Sequence, residues 1–274
     1  MRPSWAGFAG LGVLLAILLG ASAAFGVGPL AASVPPDQVT DPGEILARSL
    51  QATIDASAVH LDGRLTGHVP GTVLDRPEAR VVLDGTTIAA DARPHDGRTR
   101  MTLASPALGL DIATVTVWDG AWYRLGRDRP WQRGSLGSAS ASAGIDINPL
   151  TLVDRLRAWL DTPGIDPSSR EVACASASGT CHEVRVDAGS DPAAVLAMLL
   201  PGERTGTLPR VDAVVTLRTD ALTLRPAELI VEARSADGAT DVRLDVTASR
   251  WDADLVIDEP ADPTAPASPS GSPR

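Results

Sequence analysis

The chain has 274 residues, a formal net charge of −10 at pH 7 and no Lys, so every basic residue besides His is Arg. This acidity argues against nucleic acid as a partner, because nucleic-acid binding depends on Lys and Arg that neutralise phosphates. Once an apolar N-terminal segment is set aside, about 240 residues remain, enough for one large β-rich domain or two small ones.

The N-terminal segment sets the expected compartment. Residues 6–34 contain no charged side chain, and about 20 apolar residues suffice to cross a bilayer. Arg2 supplies the positive flank that stays in the cytoplasm. We therefore expect residues 1–35 to direct the remainder of the chain to the extracytoplasmic face of the membrane.

Two interpretations of this segment are open. Small residues at Ala23–Ala24 and Ala31–Ala32 offer signal-peptide cleavage sites, after which the protein would be secreted. The apolar run is also long enough for an uncut signal anchor, which would hold the protein on the cytoplasmic membrane through a transmembrane helix. Lipidation behind the run is excluded, since the first cysteine is Cys174.

Three short helices are predicted, each starting with Asp or Asn followed by Pro. The first spans 41–56, with Asp41 at the N-cap, Pro42 at the first helical position and Glu44 at N3. The second follows Asn148–Pro149 to about residue 160. The third, 191–200, is apolar nearly all round, which indicates a buried helix or a lid over an apolar opening.

Between the helices, apolar residues recur at every second position, which predicts strands with one apolar face and one solvent-exposed face. The clearest alternating stretches are 59–69, 98–103, 210–218 and 241–248. Hairpin turns are expected at Asp119–Gly120 and at 236–238. The order is helix, about five strands, helix, hairpin, helix, about three strands. It predicts an α+β fold, a single curved antiparallel sheet with about three short helices on its apolar face.

Cys174 and Cys181 flank a Ser/Ala/Gly turn between two alternating stretches. A hairpin centred on Ala177–Ser178 would make them face one another at a distance that suits a disulfide. Free thiols and a metal site are the alternatives. A metal would need two further ligands, and His182 points to the opposite face from Cys181.

No enzyme signature is found, and we predict a non-catalytic protein with no cofactor and no metal. The sequence contains no G-x-S-x-G, P-loop, dinucleotide fingerprint or zinc spacing. His60 and His68 are about 26 Å apart along one strand, too far to share a metal. We expect both to face solvent.

The tryptophans concentrate in one hairpin, at Trp118, Trp122 and Trp131. They either fill the core between the sheet and the helices or surround the entrance to a cavity. The other apolar residues that face the same way are small aliphatics, which would line a cavity suited to acyl chains.

The first predicted helix, the long alternating strands and the W-D-G-x-W-Y hairpin followed by P-W-Q-R together resemble the LolA/LprG-type superfamily of bacterial extracytoplasmic lipid and lipoprotein carriers. The resemblance covers about residues 41–259. It implies a half-open β-barrel closed by helices and, as partner, a lipid, an acylated glycolipid or a lipoprotein. RseB-like relatives use this fold as envelope sensors, so an interaction module with a filled core is the alternative. Many relatives are lipoproteins, whereas this chain lacks the lipobox cysteine.

The expected domains are residues 1–35 as the leader, 36–258 as the LolA-like lipid-binding domain and 259–274 as a disordered Pro/Ser-rich tail. Strand parity and the tryptophan hairpin select the candidate ligand-binding residues, which are Leu61, Leu65, Met101, Leu103, Val115, Trp118, Trp122, Val215 and Leu217.

Overall fold

The computed structural model describes residues 39–71, 80–117, 120–134, 167–174, 179–187, 211–260 and 263–264. The described helix is α1 (Pro42–Asp55), and two single-turn 3₁₀ helices span Pro94–Asp96 and Pro106–Leu108. The strands are β1 (Val59–Val69), β2 (Val81–Val82), β3 (Thr86–Arg93), β4 (Arg98–Ser105), β5 (Leu110–Val117), β6 (Gly120–Leu125), β7 (Trp131–Arg133), β8 (Ser168–Ala173), β9 (Thr180–Asp187), β10 (Val211–Asp220), β11 (Pro226–Ser235), β12 (Asp241–Ser249) and β13 (Pro263–Thr264).

Helix α1 begins where the sequence predicts. The backbone N–H of Glu44 donates to the side chain of Asp41 over 2.7 Å, and Pro42 occupies the first turn. The second and third predicted helices lie outside the described residues, so one of the three is confirmed. Among the described residues, no helix is long and apolar enough to span a membrane.

The strands form one large sheet in the order β13-β7-β6-β5-β4-β3-β1-β12-β11-β10-β9-β8, with β2 also paired to β1. All pairs are antiparallel except the short parallel pair of β13 with β7. The two end strands of this described order, β13 and β8, are not paired with each other, so the sheet is not closed into a barrel. Strand β1 joins the meander β3–β7 to the meander β8–β12, because it pairs with both β3 and β12.

The registers define two faces, because residues directly opposite each other in an antiparallel pair point to the same side. One face, which we call the apolar face, has a central row of opposed residues: Ile112, Leu103, Ile88, Gly63, Val246, Leu229, Leu217 and Val184. The other, the charged face, carries among others His60, Asp91, Arg100, Glu183 and Arg218.

Helix α1 lies on the apolar face. Ser169, which is opposite Val184 on that face, donates its hydroxyl to the backbone carbonyl of Thr40 over 2.7 Å. The helix also contacts β9 and the 3₁₀ helix at Pro94–Asp96. Within the helix, Ile45 and Ser49, one turn apart, are fully buried.

Both predicted hairpins are present, with one difference in detail. In the β5–β6 hairpin Val117 is opposite Gly120, so Gly120 belongs to the strand rather than to the turn. In the β11–β12 hairpin the N–H of Gly238 donates to the carbonyl of Ser235, and Gly238 has a φ of 68°.

The predicted tail contributes a short strand. Residues 263–264 pair with Trp131 and Gln132 of β7. The remainder of the tail after Pro260 lies outside the described residues, and its disorder stays a prediction.

Candidate ligand-binding face

Six of the nine candidate ligand-binding residues share the apolar face of the sheet. Leu65 belongs to a row with Leu244, Val231 and Val215, while Leu103 and Leu217 belong to the central row. Leu61 and Met101 are connected through Ala90, which is opposite both. The structure therefore brings Leu61, Leu65, Met101, Leu103, Val215 and Leu217 to one surface.

Val115 and Trp122 lie on the charged face, which contradicts the strand parity that we assigned to Val115. Val115 is opposite Arg100 and Trp122, and Arg100 is opposite Asp91. The partner of Met101 on β5 is Thr114. Both residues are nevertheless buried, so burial alone does not reveal their face. Trp118 lies outside the described residues.

Burial divides the apolar face into a closed centre and a more open region. In the centre, Leu61, Ile88, Leu244 and Val246 are each 2% exposed. On β10–β12, five aliphatic residues are only half-buried, and we call them the half-buried patch: Val215, Leu229, Val231, Ala233 and Val242. This patch is a part of the apolar face with surface left to offer a ligand.

Most of the half-buried patch was absent from the sequence-based candidates. Leu229, Ile230 and Val231 form a continuous apolar run, and Ile230 is buried on the charged face opposite Asp245. A run with apolar residues on both faces has no readable period of two. The pairing of Val231 with Val215 shows that Val231 lies on the apolar face.

Two polar side chains interrupt the apolar face near α1. His182 and Thr219 are opposite each other on β9 and β10, and they are 3% and 0% exposed. The Nε2 atom of His182 and the hydroxyl of Thr219 have no hydrogen-bond partner in the described structure. By contrast, the buried hydroxyls of Thr86 and Ser105 on the same face bond to each other over 2.7 Å. An unpartnered buried polar group destabilises the fold by about 1–3 kcal/mol.

The charged face carries a chain of ion pairs across β8–β11. Arg170 Nε and Arg218 Nε donate to the two carboxylate oxygens of Glu183 over 2.6 and 2.8 Å, and Arg218 Nη1 contacts Glu228 at 2.6 Å. The Glu183 side chain is only 5% exposed. Its burial raises the pKa, but the hydrogen bonds from Arg218 and Arg170 outweigh this effect, and the pKa of Glu183 lies below its ordinary value.

His60 does not face solvent freely, which corrects the prediction for this residue. Its two ring nitrogens contact Asp91 at 2.7 Å and Asp62 at 3.0 Å. Arg100 Nη2 donates to Asp91 over 2.6 Å. Burial raises the pKa of Asp91, but bonding to Arg100 and His60 lowers it further, so the net shift is downward.

His68 is also buried rather than solvent-facing. Its Nδ1 accepts from Arg80 over 2.7 Å and its Nε2 donates to the carbonyl of Gly238 over 3.1 Å, so the ring links β1 to two loops. Within the described ranges, no group of His, Cys, Asp and Glu has an arrangement that could hold a metal ion.

The disulfide between Cys174 and Cys181 is present, with a Cα–Cα distance of 5.1 Å. The two cysteines are not directly opposite each other as predicted. Cys181 is opposite Val172, and the N–H of Cys174 donates to the carbonyl of Gly179. The hairpin register is thus shifted by two residues, which preserves parity and leaves the cysteines as diagonal neighbours on one face.

No protein-family model and no curated protein sequence matches this chain. Among solved structures, the fold is similar to lipoprotein LppX of Mycobacterium tuberculosis, with 18% identity and a TM-score of 0.48 over 80% of this chain and 100% of that one. It is also similar to MucB in complex with MucA(peri), with 14% identity and a TM-score of 0.37 over 81% of this chain and 60% of that one.

A LolA superfamily protein from Nitrosomonas europaea is a third similar structure, with 10% identity and a TM-score of 0.29 over 80% of this chain and 95% of that one. All three TM-scores are below 0.5. The similarity of this chain to these three solved structures is one of general fold.

Proposed function

We propose that this protein is an extracytoplasmic, non-catalytic binding protein that holds a lipid, or the acyl part of a glycolipid or lipoprotein, against the apolar face of its sheet. The observation that carries the proposal is the half-buried patch on β10–β12. The side chains of its members present only aliphatic carbon to the surface, and they adjoin the buried Leu244 and Val246 of β12.

The chemistry of the patch favours an acyl chain. Val215 is opposite Val231 and Leu229 is opposite Leu217, so the surface across β10 and β11 is continuous and has no charged side chain. Each Å² of apolar surface removed from water contributes about 25 cal/mol, so covering such a patch is favourable. A ligand that made directional polar contacts would find few partners there.

Among the described residues, the carboxylates with the most buried side chains are engaged in structural contacts, which supports a non-catalytic role. Glu183 is held by Arg170 and Arg218, and Asp91 is held by Arg100 and His60. Both have pKa values shifted downward. A general acid or base at neutral pH requires the opposite shift.

The disulfide supports an exported location, since disulfides persist in oxidising compartments. Together with the apolar segment of residues 6–34, it favours delivery across the cytoplasmic membrane. We propose that residues 36–258 form the exported lipid-binding domain. Whether the leader is cut or retained decides between a soluble shuttle and a membrane-tethered carrier.

Two neighbouring valines on β10 provide a matched test. Val215 belongs to the half-buried patch, whereas Val214, equally half-buried, is on the charged face opposite Asp187 and Glu232. We expect Val215→Trp to fill the patch and to weaken binding of a fluorescent fatty acid at least tenfold. Val214→Trp should leave binding within twofold of the parent protein.

The binding assay uses protein purified from its own host and analysed by native mass spectrometry for co-purified lipid. A mass that corresponds to protein alone, with no binding of the fatty-acid probe, would refute the proposal. Equal loss of binding in both Trp variants would place the ligand elsewhere on the molecule.

The alternative is an envelope sensor or interaction module with a filled core. It is favoured by the deep burial of the central rows, in which Leu61, Leu65 and Ile88 are at most 3% exposed. In that case the apolar face would bind no probe, and a protein partner would bind the charged face. A charge reversal on that face, Arg243→Glu, would then abolish partner binding.

A further inference from the structure

Without the C-terminal tail, β7 (Trp131–Arg133) would be the edge strand at this end of the described sheet, and it is paired with part of that tail. Trp131 and Gln132 are opposite residues 263 and 264 in a short parallel ladder. The other side of β7 pairs with β6, where Trp122 is opposite Arg133 and Tyr123 is opposite Gln132. The tail thus adds a strand to the end of the described sheet.

An edge strand presents backbone N–H and C=O groups that can pair with another extended segment. Gln132 and Arg133 are exposed and Trp131 is half-buried, so the side chains of β7 are also accessible. Recognition by strand addition draws its affinity from main-chain hydrogen bonds and its specificity from neighbouring side chains.

The side chains around β7 are basic and aromatic, in a protein that is otherwise acidic. Residues 124–133 contain four Arg and one Asp, a local charge of +3 in a chain of net charge −10. Arg124 lies 5.0 Å from the ring centre of Trp131, and Arg133 lies 5.7 Å from that of Trp122. The Tyr123 hydroxyl donates to Gln132 over 2.7 Å.

The tail has the complementary composition. The segment 258–264 reads DEPADPT, with three acidic residues and no basic one, and Pro recurs through the following residues. Pro disfavours helix and keeps the chain extended. An extended acidic segment can therefore pair with β7, a strand that belongs to an arginine-rich hairpin.

We propose that the edge of β7 is a docking site for an extended, acidic, Pro-containing segment, and that the C-terminal tail is its intramolecular occupant. This proposal is independent of lipid binding. Because the tail is part of the same chain, its effective concentration at the edge is high, and a weak contact suffices for the tail to occupy it. Removal of the tail would expose the site to the same segment supplied in trans.

The test compares the intact chain with a variant that ends at Pro260. The ion pair of Arg225 with Asp252 and the hydrogen bond from Arg98 to the Ile257 carbonyl are retained in the shortened chain. The probe is a fluorescein-labelled peptide with the sequence of residues 258–268, and binding is followed by fluorescence anisotropy. We expect the shortened protein to bind the peptide at least tenfold more tightly than the intact protein.

Two tryptophans provide the matched control. Trp131→Ala in the shortened protein should abolish peptide binding. Trp251→Ala should not, although Trp251 is likewise half-buried and has an Arg 5.5 Å from its ring centre. If Trp131→Ala does not fold by circular dichroism, Arg124→Gln is used instead, and a fivefold or greater loss is expected.

A peptide in which Asp258, Glu259 and Asp262 are replaced by their amides should bind more weakly, and its binding should depend less on salt. The proposal is overturned if the shortened protein does not bind the acidic peptide at millimolar concentration. It is equally overturned if intact and shortened proteins bind with the same affinity, because the tail would then not occupy the edge.

Discussion

Gly67 of β1 and Asp241 of β12 approach so closely that no side chain can be placed between them. Gly67 has a φ of 98°, and a Cβ at this position would lie 1.9 Å from the carbonyl oxygen of Asp241. The backbone N–H of Gly67 donates to Asp84 over 2.8 Å, and its carbonyl accepts from Leu83. This contact holds together the two meanders and the loop before β3.

Gly67→Ala is therefore expected to reduce the free energy of unfolding by about 3 kcal/mol or more, through backbone strain and the clash with Asp241. The matched control is Gly85→Ala, because Gly85 also has a positive φ, 81°, but a Cβ there would have no atom within 4 Å. In the control, the free energy of unfolding should fall by about 1 kcal/mol. Chemical denaturation measures both, and equal losses would contradict the close approach.

The paired carboxylate of Glu183 should make stability depend on pH in the acidic range. Its pKa in the folded protein is below the ordinary value of 4.5. Such a group contributes stability that is present above the unfolded pKa and is lost as the pH falls through the folded pKa. We expect Glu183→Gln to lose about 2 kcal/mol at pH 7 and to flatten this part of the pH dependence.

The control for Glu183 is Glu171→Gln on the neighbouring strand, where the side chain is exposed. Unfolding by urea at several pH values from 3 to 7 supplies the comparison. If the free energy of unfolding of Glu183→Gln falls with decreasing pH in parallel with that of the parent protein, the pairing of Glu183 with arginine does not determine the acid sensitivity.

Thr219 offers a substitution that should increase stability. Its hydroxyl is buried without a hydrogen-bond partner in the described structure, so Thr219→Val replaces an unpartnered polar group by a methyl of similar size. We expect the free energy of unfolding to rise by about 1 kcal/mol. Thr53→Val is the contrasting variant, because the Thr53 hydroxyl donates to the Ser49 carbonyl over 2.9 Å. Removal of this hydroxyl should lower the free energy of unfolding. A loss in both variants would show that Thr219 has a partner in solution.

The disulfide closes a short loop and should contribute modestly to stability. Cys174 and Cys181 are separated by 7 positions, for which the loss of chain entropy in the unfolded state corresponds to about 2 kcal/mol. The double substitution to Ser should lower the unfolding free energy by this amount and leave the protein folded. Peptide mapping without reductant should recover the two cysteines as one cross-linked species, and free thiols would refute the assignment.

Local signals in the sequence determined the elements themselves. The Asp41–Pro42–Glu44 start predicts helix α1 because its capping contacts lie within one turn of the chain. The alternation from Val59 to Val69 predicts β1 with both ends correct, since one face is wet and the other is covered. The disulfide was likewise predictable, because a short hairpin brings the two cysteines together in either register.

Only the tertiary structure decided which residues share a surface. Leu65 is opposite Leu244, far away in the sequence, and no local pattern specifies that pairing. Val115 lies with Arg100 and Trp122 although Thr and Val alternate on β5. Ile112 on one face of β5 and Val115 on the other are both buried, so polarity along the strand does not mark a single covered side. Similarly, His182 is buried on β9, a strand that contacts the distant helix α1, and the sequence of the strand alone does not contain that contact.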